Sequence, residues 1–223
     1  MSAALRAVLF DLDGTLLDTA PDMAAALNRL RREQGLVDLP FERVRPQVSN
    51  GARALVQLGF GLSEDAPGFE QLRQRFLQLY HEGVCLETRP FPGIEELLLR
   101  LEALRLPWGV VTNKPGWLTL PLLQALQLAQ RAAVIVSGDT TLRRKPHPDP
   151  LLYACRALGL GPASCVYVGD AARDVEAALR AGMLALAATF GYIPEGEDPA
   201  SWGAHELVTH PDAIWQHIVP AGA

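Results

Sequence analysis

The chain has 223 residues, a formal net charge of −5, 49% apolar and 20% charged side chains, and only Lys114 and Lys145 as lysines among 20 basic residues. That length suits one α/β domain, or a domain carrying a smaller insertion, with enough apolar material for a real core. The charge and the lack of a basic tract exclude nucleic acid and anionic membrane surfaces as expected partners and leave small molecules.

Three cysteines, Cys85, Cys155 and Cys165, show neither disulfide-scaffold nor zinc-site spacing. They predict free thiols packed in the core of a protein in a reducing compartment. The first apolar run, residues 5–10, ends at Asp11 with no cleavage-site pattern. No later stretch reaches the roughly 18 uninterrupted apolar residues of a membrane span, so a cytoplasmic location is expected. Monomer and homodimer both stay open.

Short runs rich in β-branched residues follow at 108–112, 133–137, 165–168 and 184–189, separated mainly by helix-patterned segments. This alternation predicts a parallel sheet covered by helices. Ile94, Leu97, Leu98, Leu101 and Leu104 carry a helical period, with Gly93 before it and Pro107 closing it. More than ninety residues separate the first two strands, whereas a parallel crossover needs only about a dozen. The excess predicts an inserted helical cap at 19–88, with core segments 1–18 and 89–223. Met23, Leu27 and Leu30 mark one cap helix and Phe69, Leu72, Phe76 and Leu79 another. Thr19-Ala20-Pro21 and residues 89–93, with Pro90 and Pro92, read as stiff hinges or as ordinary loop punctuation.

Chemistry-bearing residues gather where the strands stop: Asp11 and Asp13, then Thr112-Asn113-Lys114, then Lys145-Pro146, then Gly169-Asp170 with Asp174 four residues on. In open parallel sheets ligands bind outside the carboxyl ends of strands, so these groups are expected to share a site. Asp11 and Asp13 are two apart on extended backbone and face the same way, while Gly14 allows a sharp turn. Asp170 and Asp174 taken alone read as helix capping. Three acidic or hydroxyl-bearing strand ends and a lysine are not accounted for in that way. The DLDGT stretch is not an EF-hand loop, because Leu16 and Asp22 occupy the positions that need glycine and glutamate.

Asp11-Leu12-Asp13-Gly14-Thr15, Thr112-Asn113, Lys145-Pro146 and Gly169-Asp170 with Asp174 resemble the four ordered motifs of the haloacid dehalogenase-like phosphatases, over nearly the whole chain. The resemblance implies a Rossmann-like parallel sheet core with an inserted α-helical cap, and an aspartyl-phosphate intermediate. By it, Asp11 is the nucleophile, and Asp13 protonates the leaving alcohol and then activates water. Asp11, Asp170 and the backbone carbonyl of Asp13 bind Mg2+, and Thr112 and Lys145 hold the phosphoryl oxygens. The residue types suit that chemistry: an anionic ester approaches carboxylates only when cations offset the charge, and Mg2+ with Lys145 does so. Asp174 has three readings: metal ligand, holder of the metal's waters from outside the ligand set, or orienter of Lys145; the middle one is favoured. Ala171 stands where many relatives carry a hydroxyl. Lys114 is expected at a solvated surface position, and His147 on an exposed loop.

The cap stretch Ser49-Asn50-Gly51-Ala52-Arg53 resembles the loop that phosphoglycolate phosphatases lower over their substrate, with Asn50, Gly51, Arg53 and the core's Asn113 as substrate contacts. A plain helix start at Asn50 is the other reading. No lysine lies in 19–88, which argues against the related Schiff-base phosphonate hydrolases, and Asp13 argues against the metal-free dehalogenases. Gly191-Tyr192-Ile193 and Trp202-Gly203-Ala204 are similar to the tail of N-acetylmuramic acid 6-phosphate phosphatases, or are aromatics packed at the sheet edge. The expectation is a Mg2+-dependent phosphomonoesterase on a small phosphate ester. 2-Phosphoglycolate comes first, N-acetylmuramate 6-phosphate or another sugar phosphate is the alternative, and a phosphomutase or a non-catalytic phosphosugar-binding protein ranks behind.

Overall fold

A computed structural model describes residues 5–218; the outer ends of the expected core segments, residues 1–4 and 219–223, lie outside them. A six-stranded sheet is built from β1 (Ala7–Phe10), β4 (Trp108–Val111), β5 (Val134–Val136), β6 (Cys165–Gly169), β7 (Leu184–Ala188) and β8 (Glu206–Val208). Its order is β5-β4-β1-β6-β7-β8, and every pairing is parallel. The chain builds outward from β1 to β4 and β5, then returns to place β6, β7 and β8 on the other side. That reversal puts the crevice of the sheet at the carboxyl end of β1.

Five of these strands fall where β-branched runs are expected. The sixth, β8, was not anticipated, because Glu206 and Leu207 are exposed and the segment lacks a continuous apolar run. An edge strand needs to bury only one side.

Side chains alternate across the central strand. Val8 and Phe10 face one apolar cluster with α5 (Ile94–Ala103), α6 (Gly116–Ala125) and α9 (Pro211–Ile218). Ala7 and Leu9 face a second, with α7 (Asp149–Leu158) and α8 (Ala172–Ala181). Cys155 and Cys165 are buried in the second cluster, while Cys85 is half-buried beside the first; all three are free thiols.

Between β1 and β4 the chain forms α1 (Ala20–Glu33), α2 (Phe41–Val44), α3 (Gly51–Phe60) and α4 (Phe69–Glu82). Met23, Leu27 and Leu30 of α1 meet Phe76 and Leu79 of α4, and this apolar interior is continuous with the α5–α6 side of the sheet. The two connectors are not simple hinges. β2 (Leu17–Asp18) pairs antiparallel with β3 (Arg89–Pro90), and Pro21 lies in the first turn of α1, where its missing N–H costs nothing. Asp22 ties the return connector down, accepting hydrogen bonds from the backbone N–H of Leu86 and Thr88 and from the Thr88 hydroxyl at 2.7–3.1 Å. Among the described residues no helix is long and apolar enough to cross a membrane.

Candidate active site

The ladder carries β1 up to Asp11, whose N–H donates to Val168 O at 2.8 Å. The chain then folds back on itself, with Leu16 and Leu17 N–H donating to Leu12 O. Gly14 makes the turn at φ 83°, and a Cβ there would stand 1.9 Å from Asp170 Oδ2. No other residue type satisfies both the backbone and the space.

Lys145 is the centre of the buried charge. Its side chain is 0% exposed, and its ammonium lies 2.9 Å from Asp11 Oδ1 and 2.7 Å from Asp174 Oδ1. It also donates to Val111 O and to the Tyr167 hydroxyl. Burial works to raise the Asp11 carboxyl, but Lys145 and Arg173 outweigh it and hold Asp11 below its ordinary value. Asn113, expected at the substrate, lines the cavity, and its amide is engaged by the Lys145 backbone: Nδ2 donates to Lys145 O at 2.9 Å, and Lys145 N–H donates to Oδ1 at 3.1 Å. It positions the lysine loop. The Thr112 hydroxyl accepts the Lys114 N–H at 3.1 Å at the cavity wall.

Asp170 directly follows β6 and does not cap α8. Asp174 takes that place, with Ala171 N–H donating to its Oδ2 at 3.1 Å. Both Asp174 oxygens are therefore engaged, one by Lys145 and one by the helix start. Asp170 Oδ2 accepts from Tyr192 N–H at 2.9 Å and from the Ser49 hydroxyl at 2.6 Å. Its Oδ1 is buried with no hydrogen-bond partner among the described residues. Burial, with Asp11 and Asp174 nearby, pushes the Asp170 carboxyl up to about 8. Oxygens of Asp11, Asp170 and Asp174 lie within 4.8 Å of one another, and all three residues are buried. A buried carboxylate oxygen left without a donor is the unpaired position that a hard cation would fill.

Lys114 overturns the expectation of a solvated lysine. Its side chain is 5% exposed and its ammonium is 2.7 Å from Asp13 Oδ1, the oxygen that also accepts the Thr19 hydroxyl at 2.6 Å. Tyr80 of α4 closes over it, with the ammonium 4.6 Å from the ring centroid. The cap supplies the cover that the local sequence does not reveal.

Cap and core enclose a cavity of about 710 Å³ that reaches Asp11, Asp13, Thr112 and Lys114. Asn50, Gly51 and Arg53 line it. α3 does begin at Gly51, but Asn50 makes no side-chain cap bond and donates to Gln47 Oε1 instead. The Arg53 guanidinium is paired with Glu64. His147 lies on a half-buried loop beside Asp149, away from this wall.

Sequence reasoning did not assign four contributors their place at the site. The Ser49 hydroxyl belongs to the quoted cap stretch but was not singled out. Arg173 sits between two acids of one motif, a signal that was available; its Nη2 donates to Ser49 O at 2.6 Å. Thr19 carried no signal. Tyr192 is buried under Phe91 and Arg45 rather than packed at the sheet edge. Its hydroxyl donates to Asp18 Oδ1 and accepts from Ala20 N–H.

Comparison with known proteins agrees with this geometry. Residues 8–188 match the family model described as haloacid dehalogenase-like hydrolase. An N-acetylmuramic acid 6-phosphate phosphatase from Pseudomonas aeruginosa is 48% identical over 207 residues, covering 93% of this chain and 92% of that protein. A phosphoglycolate phosphatase from Xanthomonas campestris pv. campestris is 46% identical over 211 residues, 95% of each. A crystal structure described as a "predicted phosphoglycolate phosphatase" from Haemophilus somnus superposes with a TM-score of 0.84 at 29% identity, covering 96% of this chain and 98% of that one. A parallel sheet with acids at its central strand ends, a helical cap above them and these similarities along its length place the chain in the haloacid dehalogenase-like hydrolase family.

Proposed function

We propose that the protein is a Mg2+-dependent phosphomonoesterase that works through an aspartyl-phosphate on Asp11. As a phosphatase of its family it is a phosphoric monoester hydrolase; the residue roles, the metal and the substrate are our reading. One observation carries it: Lys145 holds Asp11 from one side, while the unpartnered Asp170 Oδ1 stands in the same acidic cluster.

Asp11 Oδ1 is fixed by Leu12 N–H at 2.7 Å and by Lys145, and among the described residues no hydrogen bond reaches Oδ2. Oδ2 is thus the oxygen available to attack phosphorus and take the phosphoryl group. Lys145 and Thr112 flank the position of the phosphoryl oxygens. Thr19 and Lys114 hold one Asp13 oxygen and leave the other to give a proton to the leaving alcohol, then to take one from water. Asp11, Asp170 and the Asp13 carbonyl would hold Mg2+, which supplies the positive charge that lets a dianionic ester meet carboxylates. Asp174 keeps Lys145 in place.

Phosphoglycolate and a larger sugar phosphate both fit the chemistry. The cavity, about 710 Å³, favours the sugar phosphate, because a two-carbon acid leaves most of it to water. Hydrolysis of p-nitrophenyl phosphate with and without Mg2+ tests the activity, and kcat/KM on phosphoglycolate, N-acetylmuramate 6-phosphate and glucose phosphates ranks the substrates. Asp11→Asn should lower kcat by roughly 10³-fold or more with the melting temperature little changed. Turnover near wild type in that variant would remove Asp11 as nucleophile.

A further inference from the structure

The cavity wall carries more cations than phosphoryl transfer uses, and most have a carboxylate of their own. Arg53 pairs with Glu64, Arg73 with Glu70, and Lys114 with Asp13. Arg173 pairs with no single acid, yet Asp174, Asp11 and Asp170 surround it, and it is tied to Ser49 O. Arg144 differs from all of these. Among the described residues no carboxylate lies within ion-pair distance, and its one hydrogen bond runs from Nε to Gly138 O at 2.6 Å. Its neighbours in sequence are both taken, Arg143 by Asp149 and Lys145 by Asp11 and Asp174. With Nε fixed to the backbone, the planar fork is held at the cavity wall with its two terminal nitrogens unpaired.

Trp117 stands on the same wall, in the first turn of α6. It is 46% exposed, and among the described residues its one aromatic ring neighbour is His81 of α4, 5.4 Å between centroids. Its loop and that of Arg144 are tied together, since Gly138 N–H donates to Lys114 O and Gly116 N–H donates to Asp139 Oδ1. Across from them α4 presents Gln74 and Gln78, one turn apart. The negative π-face of an indole favours the weakly positive C–H face of a pyranose, and an unpaired guanidinium favours a carboxylate.

We propose that Trp117 and Arg144 form the leaving-group subsite: Trp117 stacks on a sugar ring, and Arg144 binds a carboxylate carried by the alcohol that departs. This rests on the phosphatase reading and deepens it by naming the two side chains that would select an acidic sugar ester at that site.

Two substrate pairs separate the parts. N-acetylmuramate 6-phosphate and N-acetylglucosamine 6-phosphate differ by a lactyl acid; 2-phosphoglycolate and 2-hydroxyethyl phosphate differ by a carboxylate on a two-carbon chain. For Arg144→Gln the expected result is a rise of roughly 10- to 100-fold in KM for the acidic member of each pair that wild type turns over, with kcat and the neutral member unchanged. Arg144→Lys should recover part of that loss. Trp117→Ala should raise KM about fivefold or more for both sugars and for neither two-carbon ester. Equal losses on acidic and neutral members, or no loss on either, overturn the Arg144 assignment. Losses from Trp117→Ala that are the same on sugars and two-carbon esters overturn the stacking role. Wild-type protein inert toward p-nitrophenyl phosphate with Mg2+ would instead remove the phosphatase reading, and the subsite with it.

Discussion

The Ser49 hydroxyl donates to Asp170 Oδ2 across 2.6 Å, joining a loop of the cap to the acid that directly follows β6. Arg173 closes the same link from the other direction by donating to Ser49 O. A cap residue therefore orients a carboxylate whose other oxygen is unpartnered. Residues that aim a metal-binding carboxylate typically change metal affinity when removed. Ser49→Ala should raise the Mg2+ concentration for half-maximal activity by roughly tenfold, with saturated kcat less affected. An unchanged Mg2+ titration would show that Asp170 does not depend on Ser49.

Lys145→Met leaves Asp11 and Asp174 buried without their shared cation. Removing one partner of a buried pair costs about 3–5 kcal/mol. Urea unfolding should report a loss of that order, together with loss of turnover. Adding Asp174→Asn should restore part of the stability and none of the activity, because one stranded charge is gone while the proposed phosphoryl site still lacks its lysine.

Asp22 offers a stability change away from the chemistry. Its carboxylate accepts the backbone N–H groups of Leu86, Glu87 and Thr88 and the Thr88 hydroxyl where the chain leaves the cap. Asp22→Ala strands those donors, and a loss of about 2–4 kcal/mol is expected by denaturant titration. Proteolysis near residues 83–88 should speed up. A variant as stable as wild type would mean that water replaces the carboxylate at no cost.

Asp170 sets a pH dependence for the metal-free protein. Its folded value near 8 lies above the ordinary 3.8, so the folded state holds the proton more tightly than the unfolded chain. Its stabilising contribution is complete below about pH 4 and is lost as pH rises through about 8. Asp174 is raised in the same direction by burial and by Asp11 and adds to the effect, whereas Asp11 is held below its ordinary value and acts only at more acidic pH. The melting temperature without metal should fall by several degrees between about pH 5 and about pH 9. Asp170→Asn should flatten that fall, and millimolar Mg2+ should reverse it by offsetting the ionised acid. A wild-type melting curve independent of pH and of Mg2+ would contradict both points.

Much of the architecture was legible because it depends on near neighbours in the chain. β-branched runs marked five parallel strands, a helical period marked α5, and an overlong gap marked the cap. The acids and Lys145 could be placed together because a parallel sheet brings its strand ends side by side whatever the loops do. β8 was not legible, since an exposed edge strand needs little apolar pattern. Nor was the β2–β3 ladder, two residues on each side, with Pro90 in one of them.

Chain order alone settled which residue types stand at the ends of which strands. Which of them became buried, paired or free was settled by tertiary packing: core loops against one another for Lys145 and Asn113, and the cap over the sheet for Lys114 and Asp170. Lys114 looks solvated until Tyr80, far along the chain, covers it. Asn113 and Tyr192 turn out to brace other residues, while Arg144 stays unpaired because no acid reaches it. A strand or helix follows from local backbone preferences, whereas a charge acquires its partner only when distant segments exclude water around it.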